Sequence, residues 1–239
     1  MRKAKHDEEA LYKELKRLGQ KLHIPTVETF WDLEVRDGNG KVVQRLKQRS
    51  HSWVRNAYNL IFATLAGKNL DQGIFGAGYL NLKDTGNSVR YGESNGIVYW
   101  GDDWDGVTRG YRGPSGSHAY GILVGNGINP EDFESYYLHT AIPNGTGPGQ
   151  LSYVQGEPHS ITWIAGTLTL KDDIVRYFNN NSGGDVDVNE VALVAHGRIP
   201  QNGNEANYMM ARDLLDSTVT VPDTGQLKVT YTIQLTYPA

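Results

Sequence analysis

Carboxylates crowd most densely in DDWDG at 102–106, where Asp102, Asp103 and Asp105 precede Gly106. A calcium loop places its acids at alternating positions and needs a bidentate acid at the twelfth. Twelve positions counted from Asp102 end on Gly113, and from Asp103 on Pro114. Neither is a ligand, so a solvated acidic turn fits better. A second oxygen-rich stretch is DVDVNEVALVA at 185–195. On a strand, Asp185, Asp187 and Asn189 project from one face. Three such groups either hold a hard cation or form the wet side of an edge strand; the latter is favoured, after the flexible NNNSGG turn. Glu190 breaks the alternation and predicts a bulge or a strand crossing beside it.

Glu93 and the three aspartates lie among Tyr91, Tyr99, Trp100, Trp104 and Tyr111. Aromatic faces with acids make a sugar platform, here Trp100, Trp104, Tyr111 and Asp105. With two placed carboxylates they make a glycosidase, for which Asp103 or Asp105 would be needed. Tyr and Trp also dominate assembly interfaces. No acid pair is singled out, which favours an interface at Tyr99, Trp100 and Trp104. The seven histidines (His6, His23, His51, His118, His139, His159 and His196) show no paired metal-binding spacing. GILVGNG at 121–127 looks like a phosphate loop. Pro130 follows in GINP and argues against the helix that such a loop needs. No catalytic residue, metal ligand or cofactor is expected.

With 239 residues, 38% hydrophobic and 21% charged, the chain can bury a sizeable core. It contains no cysteine, which excludes disulfides, cysteine-ligated metal and thiol nucleophiles. The 28 Gly and 14 Tyr favour strands joined by turns. Neither a signal core nor a membrane-length run is present, so no membrane partner is expected. Residues 1–60 carry 13 Lys+Arg against 8 Asp+Glu, a net +5, and the remainder 10 against 19, a net −9. Such asymmetry suits either an anchor facing an acidic partner or a solvated helix and hairpin. It is too sparse a basic patch for nucleic acid.

The positioning elements follow from periodicity. Residues 7–22 predict a helix with Leu11, Leu15, Leu18 and Leu22 on one face, packed on its own domain or on a neighbouring subunit. Residues 27–36 alternate as a strand, with Thr29, Trp31, Leu33 and Val35 on one side. DGNG at 37–40 turns it into KVVQRLK. A helix follows, capped by Ser50 or Ser52, with Trp53, Ala57, Leu60, Ile61 and Thr64 on one face and Gly67 ending it. Residues 1–67 thus form a helix–hairpin–helix arm. Residues 68–239 form a mainly β, antiparallel, jelly-roll-like sandwich with a Gly- and aromatic-rich insertion at 84–118. Its strands are expected at 119–125, 151–155, 160–171, 174–179, 186–196 and 227–237. YMMA and the residues after it form a further strand. Leu227, Val229, Tyr231, Ile233 and Leu235 share one face of the last.

The order of GILVGNGINPEDFESYYLHTAI, SITWIAGTLTL, DIVRYFNNNSGGDVDVNEVALVAHG and YMMARDLLDSTVTVPDTGQLKVTYTIQLTY resembles that of tailed-bacteriophage virion proteins. The residues carrying the resemblance are Val124, Gly125 and Gly127; Asn180, Ser182 and Gly183; Glu190, Val191 and Leu193; Arg212 and Asp213; Val219, Val221 and Pro222; and Val229, Thr230 and Tyr231. It covers most of residues 43–237, and KQRSHSWVRNAYNLIFATL fits the same group. His196 departs from the usual aromatic residue, and Asp223-Thr224 from a plainer turn. The resemblance implies a non-enzymatic structural protein of a phage particle, made in the host cytoplasm. Its implied partners are copies of itself and capsid, portal or tail proteins, with a host-surface glycan as the alternative. It assigns Glu190 no chemistry. A structural role is expected, the carboxylate being held by Arg212 or by backbone N–H groups.

Overall fold

The computed structural model describes residues 5–92, 110–198 and 205–238. In chain order they form α1 (Lys5–Leu22), β1 (Thr26–Arg36), β2 (Val42–Arg49), α2 (Arg55–Ala66), β3 (Leu82–Lys83), β4 (Val89–Arg90) and β5 (Gly121–Gly125). There follow β6 (Ser152–Tyr153), β7 (Ser160–Ile164), β8 (Thr169–Asn179), β9 (Val186–Arg198), β10 (Glu205–Val221) and β11 (Gln226–Thr236). The protein is mainly β and its strand pairings are antiparallel. The larger sheet runs β2-β1-β11-β8-β6, with β7 also on β8; the smaller runs β10-β9-β5. No helix among the described residues is long and apolar enough to cross a membrane.

Alternation builds the core between these two sheets. β1 gives it Trp31, Leu33 and Val35, and β11 gives Leu227, Val229 and Tyr231. They meet Val188, Val191, Val219 and Val221 of the smaller sheet. The other face of that sheet is covered by α2, through Ala57 and Ala63 against Ala195, Tyr208 and Met210. This explains the unbroken apolar run YMMA: Met209 enters one cluster and Met210 the other. β10 shifts register against β9 between Met209 and Ala211, and again between Leu214 and Val219. The second irregularity lies where Leu214 pairs with Glu190, the residue that interrupts the β9 alternation.

One side of the sandwich is closed by two side-chain amides. Gln44 donates to the Thr218 carbonyl and accepts from the Thr220 N–H. Gln48 does the same with Leu214 and Asp216. Each amide stands in for a peptide group along the irregular part of β10.

Several expectations need correction. β1 pairs with β11 along its whole eleven residues, so the hairpin belongs to the main sheet and not to a separate 1–67 arm. Ser50 and Ser52 do not cap α2; its N-cap is Val54, without a side-chain bond. Ser50 is instead drawn inward to Asp213. On α2 the buried residues are Asn56, Ala57 and Ala63, while Ile61 is exposed. Residues 160–171 are not one strand. A short 3-10 turn, Ala165–Thr167, divides β7 from β8, with Leu168 in the left-handed region at φ 50°. Nor are residues 110–118 merely inserted, because Arg176 is bound by their carbonyls.

Candidate assembly surface

Most of the residues that carried the resemblance are buried. Arg212 Nε lies 2.8 Å from Glu190 Oε2. The other guanidinium nitrogens donate to the Pro130 and Asn129 carbonyls at 3.1 and 2.9 Å. The second Glu190 oxygen accepts the Thr140 N–H at 3.0 Å. The loop that looked like a phosphate cradle is therefore wrapped on an ion pair. Its glycines are required: a Cβ on Gly125 or Gly127 would stand 2.6 or 2.5 Å from Glu190 Oε1.

Asp213, next in the chain, points the opposite way. One oxygen accepts from the Trp31 indole at 2.7 Å and the Ser50 hydroxyl at 2.6 Å. The other accepts the His51 and Ser52 N–H groups. Burial pushes its pKa up, against the bonds from Ser50, Trp31 and His51. Ligand atoms of His51, Glu131 and Asp213 lie within 4.8 Å of one another. Four donors already occupy the four lone-pair sites of Asp213, leaving none for a cation. Asn180 donates to the Gly184 and Val221 carbonyls and accepts from Ser182.

Arg176 is a buried cation that sequence reasoning missed. Its guanidinium makes five bonds, all to carbonyls: Val154, Tyr120, Ile122, Pro114 and Ser117. Burial pushes its pKa down to about 10, which leaves it charged at neutral pH. The available signal was its place between Ile174 and Phe178 on the inward face of an alternating strand.

α1 is held on the sheet by its polar side. Lys16 Nζ pairs with Glu28 at 2.5 Å, and Arg49 bridges Glu28 and Glu9 at 2.6 and 3.0 Å. The Arg49 guanidinium also lies 3.9 Å from the Tyr12 ring centre. Burial pushes the Glu28 pKa up, but its bonds to Lys16 and Arg49 outweigh this and hold it below the ordinary value. With that side engaged, the leucine stripe faces outward. Leu11, Leu15, Leu18 and Leu22 are 64, 48, 39 and 63% exposed. On α2, Tyr58, Phe62 and Leu65 are exposed as well.

The other expected positions fall out differently. Tyr99, Trp100 and Trp104 lie outside the described residues, as do the aspartates beside them. Tyr111 is no surface platform; it is packed against both core clusters and stacked on His159. Asp187 and Asn189 accept hydroxyls of Thr220 and Thr218 on the solvent side of β10, the ordinary wet face of a strand. A groove of about 560 Å³ is lined by Phe75, Lys83, Asp132, Glu134, Tyr136 and His139, among others. Lys83 Nζ sits 4.0 Å from the Tyr136 ring centre, and Arg55 forks onto Glu134.

The chain matches no protein-family model, no curated protein and no solved structure.

Proposed function

We propose that the chain is a non-enzymatic structural component of a tailed-phage particle. On this reading it assembles through α1 and its loops into symmetric rings or a capsid-associated lattice. The sandwich would be jelly-roll-like, with α1 at its N-terminal end serving for docking. The observation carrying the proposal is the outward leucine stripe of α1, fixed by ion pairs on the opposite side of the helix. A helix anchored by charge and turned apolar side out presents a preformed surface. A neighbouring subunit can bury it at little entropic cost. The resemblance to virion proteins supports the same reading.

Quantitative mass spectrometry of purified phage particles tests this. Hundreds of copies per particle would fit a lattice, and six, twelve or a small multiple a ring. Absence from the particle would overturn the proposal.

A second reading is a glycan-binding module, favoured by the groove at Tyr136, where a ring, Lys83, Asp132 and His139 converge. It predicts retardation in a glycan affinity gel that Tyr136→Ala abolishes. Equal mobility of the two chains would dismiss it.

A further inference from the structure

Sheet edges expose unpaired N–H and C=O groups and invite strands from other chains, so folded proteins guard them. Here the guards can be traced edge by edge. β5 is covered by residues 140–142: the Ile142 N–H donates to the Val124 carbonyl, and the Asn126 N–H to that of Thr140. β10 is covered by residues 52–54, and by Gln44 and Gln48. β2 carries Arg45, Lys47 and Arg49 along its length. On the far edge, residues 152–157 are covered by Gly113 and Gly116, which bond to Gly156 and Tyr153, and Pro158 follows.

β7 has none of these protections among the described residues. It pairs with β8 only, and all five of its residues, Ser-Ile-Thr-Trp-Ile, are exposed. It contains no charge, no proline and no glycine, and it is rich in β-branched and aromatic residues.

Register shows what lies beside this edge. Val27 pairs with Leu235, Leu235 with Leu170, and Leu170 with Trp163, giving one row across four strands. The row lies on the core-facing side of the larger sheet, four register pairs beyond the buried row Trp31, Tyr231 and Ile174. Its two ends, Val27 and Trp163, are 48 and 47% exposed, and Ile161 in the next row on that face is 67% exposed.

We propose that β7 is a self-pairing edge: two copies join antiparallel along Ser160–Ile164 about a two-fold axis at Thr162. This rests on the reading that the chain self-assembles, and names a surface separate from α1. The argument for a second copy as occupant is self-complementarity. Antiparallel pairing centred on Thr162 sets Ile161 opposite Trp163 of the partner subunit, and Trp163 opposite the partner's Ile161. A β-branched residue against an aromatic one is a favourable cross-strand pair. Thr162 meets its own copy, another favourable pair, and no like charges are brought together. The apolar row that ends at Trp163 is then extended by one further residue, Ile161 of the partner subunit. One interface of this kind and one at α1 are what an extended or closed array needs.

The absence of native cysteine gives a direct test. Opposed residues in an antiparallel pair have Cα atoms about 4.5 or 5.5 Å apart, inside the disulfide range. Thr162→Cys under mild oxidation should convert most of the chain to a covalent dimer. Lys47→Cys, on the opposite edge of the sheet, should stay largely monomeric. Ile161→Lys should leave the melting temperature unchanged and weaken the dimer at least about tenfold in sedimentation equilibrium. The proposal is overturned if Thr162→Cys cross-links no faster than Lys47→Cys, or if Ile161→Lys leaves the dimer constant unaltered. Oligomers that dissolve on mutation of the α1 leucines while Thr162→Cys fails to cross-link would remove β7 pairing and leave the assembly reading in place.

Discussion

Arg212 and Glu190 meet at 2.8 Å with side chains 1 and 0% exposed, and each remaining polar atom of the pair has a backbone partner. Removing one member of such a pair strands a buried charge, at a cost of about 3–5 kcal/mol. Glu190→Gln should therefore lower the melting temperature by at least about 6 °C. Glu190→Leu combined with Arg212→Met should cost less than the two single changes added together. Calorimetry on wild type and the four variants checks both expectations, and a Glu190→Gln chain that melts with wild type refutes the first.

The same pair fixes the loop before it. Gly127→Ala would place a methyl 2.5 Å from Glu190 Oε1 and 3.0 Å from its carboxyl carbon. The carboxylate must then shift off Arg212, an overpacking of about 1–3 kcal/mol. Urea unfolding should show a lower midpoint at unchanged slope.

Arg176 offers a test of geometry separate from charge. Lysine keeps the charge but brings three donors to five carbonyls now bonded at 2.6–3.1 Å. Unsatisfied buried groups cost about 1–3 kcal/mol each. Arg176→Lys should destabilise the whole domain, with hydrogen exchange rising first at residues 114–122. Exchange unchanged there would mean that the fork is dispensable.

How much of this was legible in the sequence depends on the reach of each interaction. The DGNG turn was legible, because Asp37 accepts the Asn39 and Lys41 N–H groups locally and Gly40 takes φ 79°. So was the end of α2 at Gly67, at φ 57°. The alternation of β11 shows directly in Leu227, Val229 and Tyr231. Its pairing with β1 does not, since nothing in either strand names a partner some two hundred residues away. The break at Ala165–Thr167 was masked by an apolar run with Gly166 as its only turn residue. The leucine stripe was legible as a stripe. Its outward direction was set by the buried Glu28 and the half-buried Arg49, whose positions only the sheet reveals.

That docking should depend on pH. The Glu28 pKa is held below its ordinary value of 4.5 in the folded chain. A depressed carboxylate adds stability above its unfolded value, and loses it as pH falls through the folded one. α1 should therefore loosen from the sheet only below pH 4.5. Amide exchange in α1 should rise there before exchange in β9, and Glu28→Gln should remove that step. Exchange that stays flat to the acid limit of the domain would contradict the docking account.

The most direct test of the central claim is sedimentation of the wild-type chain beside Leu15→Glu/Leu18→Glu. Both leucines are exposed, so the double variant should keep its unfolding free energy to within about the 0.5 kcal/mol typical of surface changes. The account predicts that wild type sediments as a species larger than a dimer and the variant as a dimer or smaller. A wild-type chain that remains monomeric at every concentration, or a variant that assembles as wild type does, would contradict it.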